Sequence, residues 1–290
     1  MKKISKKNIN QKLIGNSGSK LLIYFNKNYR IRKLSTNKET SNRLENQYKK
    51  IISFKKNQNN TLINVPKIFE FGFYKSNFYY DMEYINGENF SEFILRSDYR
   101  QIDFLIKKIL TYIKKCKIYS LNKYYDSTEV LNKINQLEKK KIITGGFSKK
   151  LFKKLKKFNW SKIPISHSHG DLSLENILIK DERIFFVDLS QNFVESYYLD
   201  ISKFLFDLMS GWSFRNLKEN ENSIKVISLK QNYIKFLLKY FDKYELNLIK
   251  MLTFLDFLRV LNYCKNINHK KLLNIKLKRF YDNFNNPLFW

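Results

Sequence analysis

Apolar positions alternate with polar ones through the first third of the chain and recur at helical spacing through most of the rest. Residues 8–34 read as strand, turn, strand, turn, strand. The turns fall at Gly15-Asn16-Ser17-Gly18-Ser19 and Asn26-Lys27-Asn28. Leu44, Tyr48, Ile51 and Ile52 recur one helical turn apart and predict a helix over 38–56 with a basic outer face. Val65-Pro66 opens a second pair of strands, over 67–74 and 78–84, around a turn at Lys75-Ser76-Asn77. Asn86-Gly87-Glu88 reads as a turn and sets the expected division into 1–85 and 86–290. Beyond it the period predicts helices over 89–97, 100–120 and 127–141. Gly145-Gly146 interrupts the pattern, which resumes over 147–158 and then over 199–210, 222–241, 245–265 and 268–284. A small antiparallel sheet with one helix, followed by a larger and mostly helical part, is an α+β arrangement in two lobes.

One stretch of the second part is not helical. Ile177-Leu178-Ile179 and Ile184-Phe185-Phe186-Val187 are short apolar runs around Lys180-Asp181-Glu182-Arg183, the pattern of a hairpin. Its flanks hold the chemistry. Asp171 follows His169-Gly170, Asn176 comes five residues later, and Asp188 closes the second strand. A hairpin brings Asn176 and Asp188 to the same end of two paired strands, where their oxygens suit Mg²⁺. Asp171 is then placed to accept the proton of an attacking hydroxyl, so the set as a whole suits phosphoryl transfer from a nucleotide.

Composition narrows the class. The 290 residues can bury a proper core, and 43% are hydrophobic. The chain carries no apolar run of membrane-spanning length, and the basic start has no apolar stretch behind it, so a cytoplasmic protein is expected. Cys116 and Cys264 have neither metal-ligand nor redox spacing and read as free thiols. The net charge of +29 raises the question of nucleic acid. The excess is mostly lysine, spread along the whole length together with abundant Asn, Ile, Phe and Tyr and no alanine. That is the imprint of AT-rich coding rather than of a phosphate-binding face. No nucleic-acid partner is expected, although a basic surface favours anionic substrates or lipid headgroups by steering.

With these elements in this order, the chain resembles the protein-kinase-like phosphotransferases, in particular the small-molecule branch of aminoglycoside phosphotransferases and choline kinases. HGDLSLENIL, residues 169–178, matches that branch's HGDxxxxN pattern. Gly170 and Ser173 stand where protein kinases usually carry arginine and lysine. Leu189-Ser190 follows Asp188 in place of Phe-Gly, and no Ala-Pro-Glu segment comes after it. These differences point to a small-molecule acceptor. The segment YYLDISKFLFDLMSGWSFRN, residues 197–216, is similar to bacterial phosphotransferases found among capsule and surface-polysaccharide genes. Within it Asp200 matches an aspartate that opens a helix, read here as a support for the catalytic loop.

The resemblance implies ATP and Mg²⁺ and assigns further residues. Gly15, Ser17, Gly18 and Ser19 lie where the family's phosphate-covering loop lies, and glycine there lets the backbone approach phosphate oxygens. A lysine on the third strand should pair with the α- and β-phosphates. Lys33 shares a strand face with Ile31 and is the choice, with Arg32 the alternative if the register slips. Glu45 is the expected partner of that lysine, with Glu39 or Gln47 as alternatives. The segment around Glu83 and Ile85 resembles the link between lobes whose backbone binds the adenine edge. For the acceptor, Trp212, Arg215, Asp256, Arg259 and Tyr263 are candidates. A sugar or sugar-derived alcohol would use the Arg and Asp hydrogen bonds, whereas a choline- or ethanolamine-like cation would use an aromatic box of Trp212 with Tyr197 and Tyr198. A catalytically silent, kinase-shaped binding protein is the reading from another class. His167 and His169, two residues apart, lack a third metal ligand nearby. His169 is expected to brace the loop.

Overall fold

The computed structural model describes residues 11–14, 18–56, 62–118, 120, 123–217 and 223–285, the first four by backbone alone. They form two compact units. The first takes the residues up to Phe90 together with Asn176–Gln191, and the second takes Ser91–Glu175 and the residues from Asn192 onward.

In the first unit, β1 (Gln11–Ile14), β2 (Lys20–Asn26) and β3 (Asn28–Leu34) run antiparallel in sequence order. β6 (Asn77–Glu83) follows beside β3, with β5 (Ile68–Tyr74) at the edge. Both tight turns of this sheet work without glycine: Lys27 has φ 59°, and Lys75 and Ser76 have φ 47° and 64°. The β3–β6 register sets Lys33 opposite Tyr80 and Arg32 opposite Asp81, so the two basic side chains point to opposite faces of the sheet. Helix α1 (Lys38–Lys56) covers one face through Ser41, Leu44, Gln47, Ile51 and Phe54. Tyr48 of the same helix stacks on Phe71 of the edge strand at 4.4 Å.

A second sheet of the same unit has the order β4 (Ile63–Asn64), β9 (Arg183–Phe186), β8 (Ile177–Lys180), β7 (Glu88–Asn89). The expected hairpin is present. Its turn is Asp181-Glu182, at φ 48° and 57°, the geometry of a two-residue turn that follows the twist of the strands. Glu88, expected in a turn, instead pairs with Ile179. Gly87 makes that pairing possible, because a Cβ there would lie 2.6 Å from the Ile179 carbonyl oxygen.

The second unit holds α2 (Phe90–Arg96, whose first residue belongs to the first unit), α3 (Tyr99–Ile118), α4 (Ser127–Lys139) and α5 (Gly145–Lys157). After the hairpin come α6 (Tyr197–Ser210), α7 (Ile224–Tyr240), α8 (Lys243–Tyr263) and α9 (Ile267–Asp282). The Gly145-Gly146 pair opens α5 rather than preceding it, with Gly145 at φ 79°. Helix α8 begins with a capping box: Asp242 accepts from the Glu245 N–H, and Glu245 accepts from the Asp242 N–H. α6, buried along nearly its whole length, and the Leu248–Leu261 stretch of α8 form the core of the unit, with Phe206 edge-on to Phe257 at 4.8 Å. Among the described residues, no helix is long and apolar enough to cross a membrane.

Candidate active site

The loop from His169 to Leu174 is held from below by helix α6. Charged residues of α6 at positions 200, 203 and 207 fall three and four apart, on one stripe of the helix, and each takes a different part of the loop. Asp200, 1% exposed, accepts hydrogen bonds from the backbone N–H of His169 at 2.6 Å and of Gly170 at 2.8 Å. Lys203 reaches the Asp171 carboxylate at 3.0 Å. Asp207, fully buried, accepts from the Leu174 N–H at 2.7 Å and from Ser213 through both its N–H and its hydroxyl. The helix then ends at Gly211, whose φ of 65° suits its N–H bond to the Asp207 carbonyl.

The rest of the loop is tied just as closely. Gly170 has φ 86°, and its carbonyl accepts from the Asn192 side chain at 2.8 Å. His169 is fully buried and accepts at Nδ1 from the Asp171 N–H at 3.2 Å, the bracing role expected of it. The Asp171 side chain itself stays 37% exposed. Burial works against its charge, but Lys203 and Arg259 outweigh that and hold its pKa below the ordinary carboxylate range.

Around Asp171 the same unit supplies most of the residues expected to meet an acceptor. Arg215 stacks over Trp212 at 4.1 Å and donates to Glu175 at 2.8 Å. Trp212 meets Tyr263 edge to face at 6.4 Å. Asp256 accepts from the Ser202 hydroxyl at 2.9 Å and from Arg259 at 3.1 Å, and burial raises its pKa. The aromatic box does not form. Tyr197 and Tyr198 lie in the first turn of α6, whereas Trp212 follows its last, so about 20 Å of helix separates them. The two tyrosines pack on one another, and Tyr198 donates to Glu245 at 2.6 Å.

In the first unit, Asn176 and Asp188 sit at the same end of the β8–β9 hairpin, joined by the Val187 N–H bond to the Asn176 carbonyl at 3.0 Å. The Asp188 backbone takes φ 58°, a left-handed conformation that Asp tolerates better than most residues, and its side chain is half exposed. Lys33, 6% exposed, is ion-paired to Asp188. Burial opposes the lysine's charge, yet Asp188 and Tyr80 together raise its pKa above the usual value. The Tyr80 hydroxyl donates to Gln47 at 3.5 Å. Arg32 is committed elsewhere, forked onto buried Asp81 at 2.7 and 2.8 Å on the opposite face of the sheet. Glu45 lies on the outer side of α1 and pairs with Lys49 at 2.6 Å, one turn along the helix. It is Gln47 that α1 turns inward.

The remaining assigned positions are less informative. Gly15 and Ser17 lie outside the described residues. Gly18, at φ 77°, has its carbonyl bonded by the Thr36 hydroxyl at 3.0 Å, and Ser19 is buried. Glu83 ends β6 with its N–H bonded to the Lys67 carbonyl at 2.8 Å, and Ile85 is buried.

An amide oxygen and a carboxylate from the same end of one hairpin are hard donors of the kind that fit Mg²⁺, a cation that keeps several positions for water and phosphate oxygens. Among the described residues, no group of three His, Cys, Asp or Glu converges as a complete protein ligand set. Asn176 and Asp188 are the residues that would hold the ion, and the charge neutralisation it brings is what phosphates require.

No family model matches the chain, and no curated protein sequence matches it. Solved structures do. An amicoumacin kinase determined with AMP-PNP, Ca²⁺ and Ami is similar over 96% of this chain and 89% of its own, with a TM-score of 0.59 at 13% identity. A choline kinase from Cryptosporidium parvum is similar over 98% of this chain and 91% of its own, with a TM-score of 0.56 at 11% identity. An aminoglycoside-3'-phosphotransferase of type VIII is similar over 84% and 92%, with a TM-score of 0.54 at 12% identity. This chain has the protein-kinase-like fold of the small-molecule phosphotransferases. The α+β architecture expected from the sequence is therefore the observed one, and the motif at 169–188 lies within a fold shared with small-molecule kinases.

Lys203 and Asp207 escaped sequence reading, although a charged residue every three or four positions in an otherwise apolar helix is a legible signal. Gln47 was open as an alternative to Glu45, because the choice between them depends on the rotation of α1, which periodicity alone does not fix.

Proposed function

We propose that this protein transfers the γ-phosphoryl group of ATP, as its Mg²⁺ complex, to a hydroxyl of a small molecule of sugar or sugar-alcohol type. The observation that carries this reading is the Asp171 carboxylate: partly exposed, kept ionised, and presented by a loop whose backbone is bonded along its length to α6. In this reading Asp171 orients the acceptor hydroxyl and takes its proton. Lys33 and the turn that includes Gly15, Ser17, Gly18 and Ser19 hold the phosphates, the backbone near Glu83 and Ile85 receives the base, and Asn176 and Asp188 hold the metal. Residues 1–85 then act as the nucleotide-binding lobe and 86–290 as the catalytic and substrate lobe. Catalysis is mainly positioning and charge neutralisation. That a similar kinase was determined with AMP-PNP and Ca²⁺ supports the use of a nucleotide and a divalent ion.

A sugar-type acceptor is favoured over a choline-type cation for a structural reason. Trp212 lies beside Arg215, with Asp256, Arg259 and Tyr263 in the same unit, whereas Tyr197 and Tyr198, the partners of the expected cation box, are at the far end of α6. The likeness of residues 197–216 to surface-polysaccharide phosphotransferases makes that pathway the proposed setting.

The test is transfer of labelled phosphate from ATP with Mg²⁺ across a panel of sugars, sugar alcohols, choline and ethanolamine. The expected result is transfer to a sugar-type hydroxyl, with Asp171→Asn losing at least about a hundredfold in turnover while still binding ATP. Retained turnover in that variant removes Asp171 from its role. Failure of the wild type to bind ATP with Mg²⁺ would favour the silent binding protein.

A further inference from the structure

Lys203 is buried, 6% exposed, in the middle of α6. Burying an ammonium costs several kcal/mol unless it is paired, and an apolar residue would fill the same space without that cost. Its partner is Asp171 Oδ1 at 3.0 Å. The loop 169–174 itself contains no lysine or arginine, so a cation facing Asp171 has to come from another element. Asp200 and Asp207, on either side of Lys203, already fix the loop backbone at His169, Gly170 and Leu174. Lys203 therefore adds little to the path of the loop. What it adds is control of one side chain.

Resting on the phosphotransferase reading, we infer that Lys203 is a positioning residue for that reaction: its ammonium holds the Asp171 carboxylate in one orientation and keeps it ionised as the hydroxyl-orienting base. The other groups around the pair are accounted for. From α8, Asp256 is bonded to Ser202 and Arg259, Arg259 adds positive charge to the same neighbourhood, and Tyr263, a phenol, is neutral from acid to neutral pH. From the loop and its continuation, His169 bonds the Asp171 N–H, and Glu175 is paired with Arg215. On α6, Asp207 is occupied by Leu174 and Ser213. A carboxylate paired with a cation is a weaker base, which phosphoryl transfer tolerates because little proton transfer is needed before the loose transition state.

The test uses Lys203→Met, Lys203→Gln and Lys203→Arg in the full chain, with two readouts. The first is slow hydrolysis of ATP with Mg²⁺, water serving as acceptor, across acid to neutral pH. The second is the titration of the Asp171 carboxyl by ¹³C NMR, assigned with Asp171→Asn. Expected are a loss of roughly tenfold or more in hydrolysis for the Met and Gln variants, and an acid limb and carboxyl midpoint displaced to higher pH. The Arg variant should keep the midpoint low. An unchanged midpoint in Lys203→Met or Lys203→Gln overturns the inference, as does a wild-type midpoint at or above the ordinary carboxylate range. If the wild type hydrolyses no ATP at any pH and transfers phosphate to no acceptor, the phosphotransferase reading falls, while the titration still decides what Lys203 does to Asp171.

Discussion

At the scale of single residues, the first unit holds a buried cation tied to a carboxylate that is also the proposed metal ligand. Lys33 and Asp188 pair directly, and Asp188 is held in a left-handed backbone conformation at φ 58°. Asp188→Asn keeps the shape and the tolerance for that conformation and removes only the charge. It should weaken binding of ATP with Mg²⁺ by more than about tenfold in calorimetry while changing ATP binding in EDTA far less. An equal loss in both conditions would assign Asp188 to the nucleotide alone. The pair explains which parts of the site were legible. Lys33 could be chosen over Arg32 because strand residues alternate and Ile31 marks the covered face. The partner could not, because it lies 155 residues further along the chain and meets Lys33 only in the folded unit. Glu45 had suitable chemistry on the right helix, yet it sits one position off the buried stripe and bonds Lys49 instead.

At the scale of elements, the β8–β9 hairpin carries the proposed metal ligands and helix α6 supports the loop of the proposed base. The hairpin carries Asn176 and Asp188 at one end and a strained turn at the other, with Asp181 and Glu182 both at positive φ. Glycine at the second turn position removes a penalty of about 1 kcal/mol. Glu182→Gly is therefore expected to raise the melting temperature without altering ATP binding, measured by calorimetric melting. A fall in melting temperature would mean that the Glu182 side chain contributes more than its backbone costs. Helix α6 was legible as a helix because its apolar residues keep the period over many turns. Its stripe of Asp200, Lys203 and Asp207 takes on meaning only when the loop 169–174 is laid along it. The two-residue strands β4 and β7 had no signature at all. Two residues carry no period, and their pairing partners are distant in sequence.

At the scale of the whole molecule, ligand and charge are the quantities to measure. If ATP with Mg²⁺ binds only the folded protein, it stabilises it by about 2.7 kcal/mol at a hundred times its Kd. The melting temperature should rise with ATP concentration and lose most of that rise in Asp188→Asn. No rise at any concentration would count against nucleotide binding. The net charge of +29 belongs to this scale too: it is spread along the sequence and bears on solubility and on steering of anions, not on the fold.

By itself the sequence determined the order and type of the long elements and the α+β class, and it offered Asp171, Asn176 and Asp188 as a candidate set. These depend on periodicity and on spacing within one stretch of chain, both local properties. Tertiary structure alone decided which charges meet: Lys33 with Asp188, Arg32 with Asp81, and Lys203 with Asp171. Such pairs join residues dozens to more than a hundred positions apart. Their partners are selected by strand register and helix rotation, which a shift of one residue would reverse.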